Sequence, residues 1–362
     1  MKQFFVAATR QNEGKTTVAL GLTAVLVSRN YHVGFIKPVG QRYVESGGYK
    51  VDEDSILMSR AFNLDCHIKD MSPVAIVRGF TKKFVASGDT QKLIEEIRAA
   101  YSRVSQGKQY VVIEGTGHAG VGSILNLSNA DVASLLGSKV IIVTRAGIGR
   151  PVDEVMLNHC LFASRGAQVL GVILNKAEPE KIDQVKQYTG KALEDRGLKL
   201  LGVIPYIGEL MNPTMDQIRE ELQSELLNGE AFLSNTVGPI LVGAMSPHRA
   251  LDYISGKALC ITPSDRGDII LAAMSSCLAG ISKEHCVSGM LLTGGAYPHP
   301  NIMKLVQKTN IPVLLTNDDS YTAAAKVHDM TVKIRPSDKK KISLARRLIR
   351  NYVDVDYILE HA

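Results

Sequence analysis

Short β-branched runs alternate with helix-period patterns from the start of the chain. The runs Gln3–Ala8, His32–Lys37, Tyr110–Glu114, Lys139–Thr144, Val169–Asn175 and Leu200–Ile204 have strand length and predict buried strands. Between them the spacing predicts amphipathic helices, among them Lys15–Arg29, Leu93–Ser105, Val152–Arg165 and Lys181–Arg196. Strand, helix, strand with continuous apolar strands is the pattern of an α/β fold with a mainly parallel, doubly wound sheet. Such sheets bind ligands beyond the carboxyl ends of their strands, so the residues that follow each strand carry the interest.

The alternation pauses over Ile207–Asn235, a polar stretch with Asn212-Pro213, one predicted helix (Asp216–Leu227) and Asn228-Gly229. It resumes with strands at Ile240–Val242, Ala258–Ile261, Met290–Leu292, Val313–Leu315 and Met330–Ile334. The expected organisation is a first domain over 1–210 and a second, smaller α/β domain over 211–362. The second domain would end in a helix at Lys340–Tyr352, with Ile342, Ala345, Ile349 and Tyr352 as its apolar stripe and Lys340, Arg347 and Arg350 in solvent.

Composition narrows the class. The 362 residues suit two domains at roughly 150 residues each. Lys+Arg 42 against Asp+Glu 36 gives a net charge of +6, too small and too dispersed to point to nucleic acid. The apolar start Phe4–Ala8 is cut short by Thr9-Arg10-Gln11-Asn12, and no run approaches the ~20 residues of a membrane span. The five cysteines include no C-x-x-C pair, which reads as free thiols in a cytoplasmic protein and not as a zinc or disulfide framework.

The sharpest chemical signal is Ala8-Thr9-Arg10-Gln11-Asn12-Glu13-Gly14-Lys15-Thr16-Thr17, which leaves the first strand and opens the first helix. A loop there turns several main-chain N–H groups toward one point at the positive end of a helix dipole, which suits a polyphosphate. Gly14 allows close approach, Lys15 can reach the β- and γ-oxygens, and the Thr16 hydroxyl can ligate Mg²⁺. Thr9 stands where such loops usually carry their first glycine. Glu114 ends a strand where an acidic Mg²⁺ partner is expected, and Lys37 ends another where a second cation could meet the transferred phosphate. In Val51-Asp52-Glu53-Asp54 the acids either complement a helix dipole or supply a metal ligand, and spacing does not choose between them. His118, beside Gly117, could be a base, though a loop histidine with no visible partner is more often incidental.

Taken together, Thr9 to Thr17, Phe35-Ile36-Lys37-Pro38-Val39, Asp52-Glu53-Asp54, Ile113-Glu114-Gly115-Thr116-Gly117, Asn175-Lys176 and Leu201-Gly202-Val203-Ile204-Pro205 resemble dethiobiotin synthetases over about residues 1–207. The resemblance implies a P-loop NTPase-type domain that binds ATP and Mg²⁺. It implies Thr16, Asp54 and Glu114 around the metal and Lys15 and Lys37 at the transferred phosphate. Thr9, Asn12, Glu13, Gly14 and Thr17 would lie in the phosphate loop, with Asn175 and Pro205 beside adenine. The organic-substrate pocket is not carried over, because Gly40-Gln41-Arg42-Tyr43 follows Lys37-Pro38-Val39 and Thr116 and His118 replace the family's usual residues.

Further on, Val242-Gly243-Ala244-Met245-Ser246, Thr262-Pro263-Ser264-Asp265-Arg266-Gly267-Asp268 and Leu292-Thr293-Gly294-Gly295 resemble the DRTGG family. The pair of domains is similar to the N-terminal region of bacterial phosphate acetyltransferases, which implies a regulatory role. Asp265, Arg266, Thr293, Gly294 and Gly295 read either as a second site for a small anionic metabolite or as a structural Asp–Arg pair with a glycine turn. Because the sequence ends after this unit, acetyl transfer is not expected of it alone. The expectation is an ATP- and Mg²⁺-binding regulatory or metabolite-sensing protein, a homo-oligomer, with slow hydrolysis at most. The alternatives are an ATP-dependent ligase working through an acyl or carbamoyl phosphate, and a non-enzymatic partner of a separate acetyltransferase.

Overall fold

The structure, a computed structural model, describes residues 1–254, 257–278, 287–330 and 332–362, without the side chains of 276 and 277. Cys286, Thr331 within the expected 330–334 strand, and the Cys277 side chain lie outside the described residues. The chain divides into two compact units, Met1–Ile207 with Ile334–Ala362, and Gly208–Lys333.

The first unit is built on a six-stranded sheet in the order Leu200–Pro205, Val169–Ala177, Lys139–Arg145, Lys2–Ala8, Tyr110–Glu114, Val33–Ile36. Every pairing in it is parallel. The strands are buried on both faces, which is why they read as apolar runs without alternation. Alternate residues such as Phe5, Ala7, Ile113, Ile142 and Leu174 pack under Ile97, Val155, Phe162 and Val185 from the helices Thr90–Ser105, Arg150–Ser164 and Ile182–Glu194.

The opposite face carries the helix Lys15–Ser28, and here the amphipathic expectation needs correcting. Every residue from Val18 to Leu26 is buried, so this helix has no solvent face. Its outer side is covered by the C-terminal helix Lys339–Tyr352, which belongs to this unit and not to the second domain where it was expected. The contact is close: a Cβ added at Gly21 would lie 2.3 Å from Ile349 Cγ1 and 2.8 Å from the Ala345 carbonyl. The buried stripe is Leu344, Ala345, Leu348 and Ile349 with Lys341, whereas Tyr352 from the expected stripe is largely exposed. Each of the larger side chains contributes about 1.5–3 kcal/mol by leaving water. The chain end is tied to the sheet edge as well, with Asp354 N–H donating to Leu201 O at 2.8 Å.

The second unit has a five-stranded sheet in the order Glu225–Asn228, Val313–Leu315, Gly289–Thr293, Leu259–Pro263, Ile240–Val242. All its pairings are parallel except the first. Glu225–Asn228 falls where the tail of a helix was expected. The helix is shorter, Met215–Glu221, and Gln223 at φ 48° turns the chain out of it. Leu226 and Leu227 then pack against opposite cores, the alternation of a strand. Residues 330 and 332–334 are not in a strand. Among the described residues no helix is long and apolar enough to cross a membrane.

Candidate nucleotide site

The first strand ends at Ala8 and the chain turns through Thr9–Gly14 into the helix Lys15–Ser28. Asn12 (φ 66°) and Gly14 (φ 94°) adopt left-handed backbone, and Gly14 caps the helix without a side-chain acceptor. Thr9 N–H donates to Val143 O at 2.9 Å. Among the described residues, the next main-chain amide to find a main-chain acceptor is Val18, which donates to Gly14 O at 3.0 Å. The amides from Arg10 to Thr17 therefore form an uninterrupted set of donors at a helix N-terminus, a ready site for an anion. Thr9, expected within the phosphate loop, has its donors engaged inside the protein: its hydroxyl meets Thr144 Oγ1 at 2.8 Å and Glu154 Oε2 at 3.3 Å.

Beside this loop the structure brings Lys15, Thr16, Lys37, Asp54 and Glu114 together. Thr16 Oγ1 donates to Glu114 Oε1 at 2.7 Å and lies 3.4 Å from Asp54 Oδ2, and Lys15 Nζ is 3.3 Å from Glu114 Oε1. Glu114 is fully buried, and its other oxygen, Oε2, has no hydrogen-bond partner among the described residues. Burial and the neighbouring Asp54 charge raise the Glu114 carboxyl above its ordinary range, against the pull of Lys15, Lys37 and the Thr16 hydroxyl. An unpartnered oxygen on a buried carboxylate is costly to keep and marks a place built to receive something positive.

A hydroxyl and two carboxylates gathered as Thr16, Asp54 and Glu114 are fit the hard-oxygen preference of Mg²⁺. Among the described residues no group of three or more His, Cys, Asp or Glu is arranged to hold a metal by itself. Mg²⁺ at this place would complete its shell with phosphate oxygens and water, as is usual for a nucleotide metal.

Lys37 was expected at the transferred phosphate. In this structure its ammonium lies between Asp54 and Asp52, the latter at 2.9 Å, with the side chain almost wholly buried. Burial works against the charge, but Asp54, Glu114 and Asp52 outweigh it and hold the Lys37 pKa above its ordinary value. Asp52 also caps the helix Glu53–Phe62 by accepting from Asp54 N–H at 3.0 Å. Within the acidic cluster Asp52 caps the helix, and Asp54 reaches the Thr16 hydroxyl.

Asn175 lies two residues before the end of its strand and Pro205 ends the neighbouring one, and Asn175 Nδ2 donates to Glu13 O at 2.8 Å. A Cβ at Gly14 would lie 2.0 Å from that nitrogen, so glycine is required there by space as well as by φ. His118 is held locally, its Nδ1 accepting from Gly120 N–H at 3.2 Å. Two contributors had no role assigned to them by the sequence reading. Glu154 gathers Thr9, Arg10 (2.9 Å) and Arg150 (2.7 Å), and Lys176 Nζ donates to Asn12 O at 2.7 Å. Their signal, a charged residue opening a helix and a lysine after a strand asparagine, is too common in sequence to stand out.

In the second unit, Pro263 and Thr293 pair on adjacent strands, so the Asp-Arg and Thr-Gly-Gly segments lie at one carboxyl edge. Arg266 is held bidentately by Asp268 (2.8 and 3.0 Å) and not by Asp265, and it also donates to Met245 O at 3.1 Å. Gly294 (φ 86°) and Gly295 (φ 71°) donate to Asp318 O and Thr316 O, while the Thr293 hydroxyl meets Ser320 Oγ at 2.7 Å.

Residues 2–214 match the AAA domain family AAA_26, and residues 217–330 match the DRTGG domain. The phosphate acetyltransferase of Nitratidesulfovibrio vulgaris is 28% identical over 361 residues, covering 97% of this chain and 50% of that protein. That of Pseudomonas aeruginosa is 27% identical over 378 residues, covering 99% and 52%. The chain spans about half the length of the curated relatives it matches. Among solved structures, MinD from Pyrococcus horikoshii complexed with Mg-ADP is 17% identical with a TM-score of 0.36, covering 58% of this chain and 83% of that one, a likeness too low to carry an argument. The chain belongs to the AAA domain family AAA_26, with a DRTGG domain following, in a combination it shares with phosphate acetyltransferases.

Proposed function

We propose that the first unit binds ATP with Mg²⁺ at the Thr9–Thr17 loop and that the protein is a nucleotide-responsive regulatory or metabolite-sensing module of phosphate acetyltransferase-type metabolism. The observation that carries this reading is the run of loop amides with no main-chain acceptor beside a buried carboxylate oxygen with no hydrogen-bond partner, both among the described residues. The amides and Lys15 would take the phosphates; Thr16, Asp54 and Glu114 would hold Mg²⁺, whose charge offsets that of the β- and γ-oxygens. In keeping with the family resemblance, Asn175 and Pro205 would sit beside the base.

Regulation is favoured over ligation by what occupies the space around Lys37. Its ammonium is already shared by two carboxylates, and a Cβ at Gly40 would lie 2.7 Å from Asp52. Thr116 Oγ1 is bound to Val39 O. The residues that would have to greet an acyl acceptor are engaged with one another. The second unit would take the metabolite signal at its Asp265–Arg266 and Thr293–Gly295 edge, where an anionic ligand would have to displace Asp268 from Arg266. A homo-oligomer, or an acetyltransferase partner, would receive the output.

Calorimetric titration with ATP, ADP and GTP tests this reading. The expected result is binding of ATP that strengthens with Mg²⁺, and slow turnover that a panel of carboxylates and amines does not accelerate. Absence of heat with every nucleotide would overturn the binding site; turnover stimulated by one acid or amine would replace regulation with ligation.

A further inference from the structure

The phosphate loop has two ends to secure and lacks the first glycine that commonly eases its tight path. We infer that Lys176, together with Asn175, is a positioning residue that holds the loop in its anion-binding form by anchoring two of its carbonyls, an inference that rests on the loop being a phosphate site.

The argument follows from peptide geometry. In a trans peptide the C=O of one residue and the N–H of the next point in opposite directions across a rigid plane. Lys176 Nζ fixes the Asn12 carbonyl at 2.7 Å, and Asn175 Nδ2 fixes the Glu13 carbonyl at 2.8 Å. The N–H groups of Glu13 and Gly14 are thereby aimed away from the Asn175–Lys176 strand end. These two amides belong to the set with no main-chain acceptor among the described residues. The left-handed conformations at Asn12 and Gly14 flank Glu13, which has no positive φ, and turns of this kind present successive N–H groups to an anion. Lys176 itself adopts φ 60°, a conformation that a lysine rarely takes, and it is the turn at this residue that accompanies the ammonium's reach to the loop. At the other end of the loop Thr9 and Arg10 are fastened through Glu154, so both ends are tied by side chains from neighbouring strand ends and helix starts.

Lys176→Asn tests this, because asparagine tolerates the left-handed backbone and removes only the long cationic arm. Two readouts are needed. In the protein without ligand, ¹⁵N relaxation of the Glu13 and Gly14 amides should show order parameters near ~0.85 in the wild type and a fall toward ~0.6 in the variant. With Mg²⁺ present, ATP and inorganic tripolyphosphate should both bind about ten-fold more weakly to the variant, by a similar factor. Lys176→Arg, which keeps a long donor, should recover most of the loss. Unchanged order parameters would overturn the inference, and so would weakened ATP binding with tripolyphosphate untouched, which would place Lys176 at the nucleoside. If the wild type binds neither probe, the proposed function fails, while the ligand-free relaxation still decides whether Lys176 orders the loop.

Discussion

Replacing Lys15 with alanine is expected to remove measurable Mg²⁺-ATP binding while leaving the protein folded. The site holds three carboxylates, Asp52, Asp54 and Glu114, against two ammonium groups, Lys15 and Lys37. Lys37 is shared by Asp52 and Asp54, whereas Lys15, paired with Glu114 at 3.3 Å, opens the helix at the loop and is the nearer of the two to an incoming polyanion there. Removing it takes away a charge-assisted contact to phosphate. It also leaves Glu114 with less positive charge nearby, in a place that now repels the ligand. Truncating one partner of a buried charge pair typically costs about 2–5 kcal/mol, which is roughly a 30- to several-thousand-fold loss of affinity. Calorimetry on the variant checks this, with circular dichroism to show that the fold persists. Affinity within a few-fold of the wild type would mean that nucleotide binds elsewhere.

Glu114→Gln should separate stability from function. The folded protein raises the Glu114 carboxyl above its ordinary value of 4.5, first through burial and then through Asp54. Folded protein therefore retains this proton to a higher pH than the unfolded chain does. Ionising the group withdraws stability as pH rises from the unfolded value through the raised folded one. Glutamine does not titrate, so without metal or nucleotide the variant is expected to gain on the wild type as pH rises above the ordinary carboxyl value. The advantage should vanish well below pH 4.5, where the wild-type group is protonated in both states. In the same variant the Mg²⁺ dependence of ATP binding should be lost, because the metal shell is left with Thr16 and Asp54. Thermal melts across pH with and without Mg²⁺ check both halves. A variant less stable than the wild type at pH 8, with Mg²⁺ dependence intact, would refute the placement of Glu114.

Much of the first unit was legible because both faces of its sheet are covered. Runs such as Val111–Val112–Ile113 and Val140–Ile141–Ile142–Val143 have strand length and no polar alternation, and each ends on a residue of chemical consequence. The C-terminal helix was placed in the wrong unit because no local signal says where a helix docks. The clue lay far upstream, in a segment that is apolar all round from Val18 to Leu26 and so needs cover on two sides. Glu225–Asn228 was hidden because four residues with two adjacent leucines fit the end of a helix as well as a strand.

At the site, residue types and order gave the gathering of Lys15, Thr16, Asp54 and Glu114. They did not give the engagement of Lys37 by Asp52, because an ion pair between a strand end and a helix cap depends on three-dimensional distance. The same holds for Arg266, whose partner Asp268 lies three residues beyond the Asp265 that the motif suggests, since a bidentate fork closes on whichever carboxylate the helix start presents.

The most direct test of the central claim is a crystal grown with ATP and Mn²⁺ in place of Mg²⁺, read at the manganese absorption edge. The account predicts one strong anomalous peak within ligand distance of Thr16 Oγ1 and of carboxylate oxygens from Asp54 and Glu114, with the triphosphate lying against the amides of residues 10–17. Nucleotide bound with its metal away from these side chains, or no nucleotide at this loop at millimolar concentration, would contradict it.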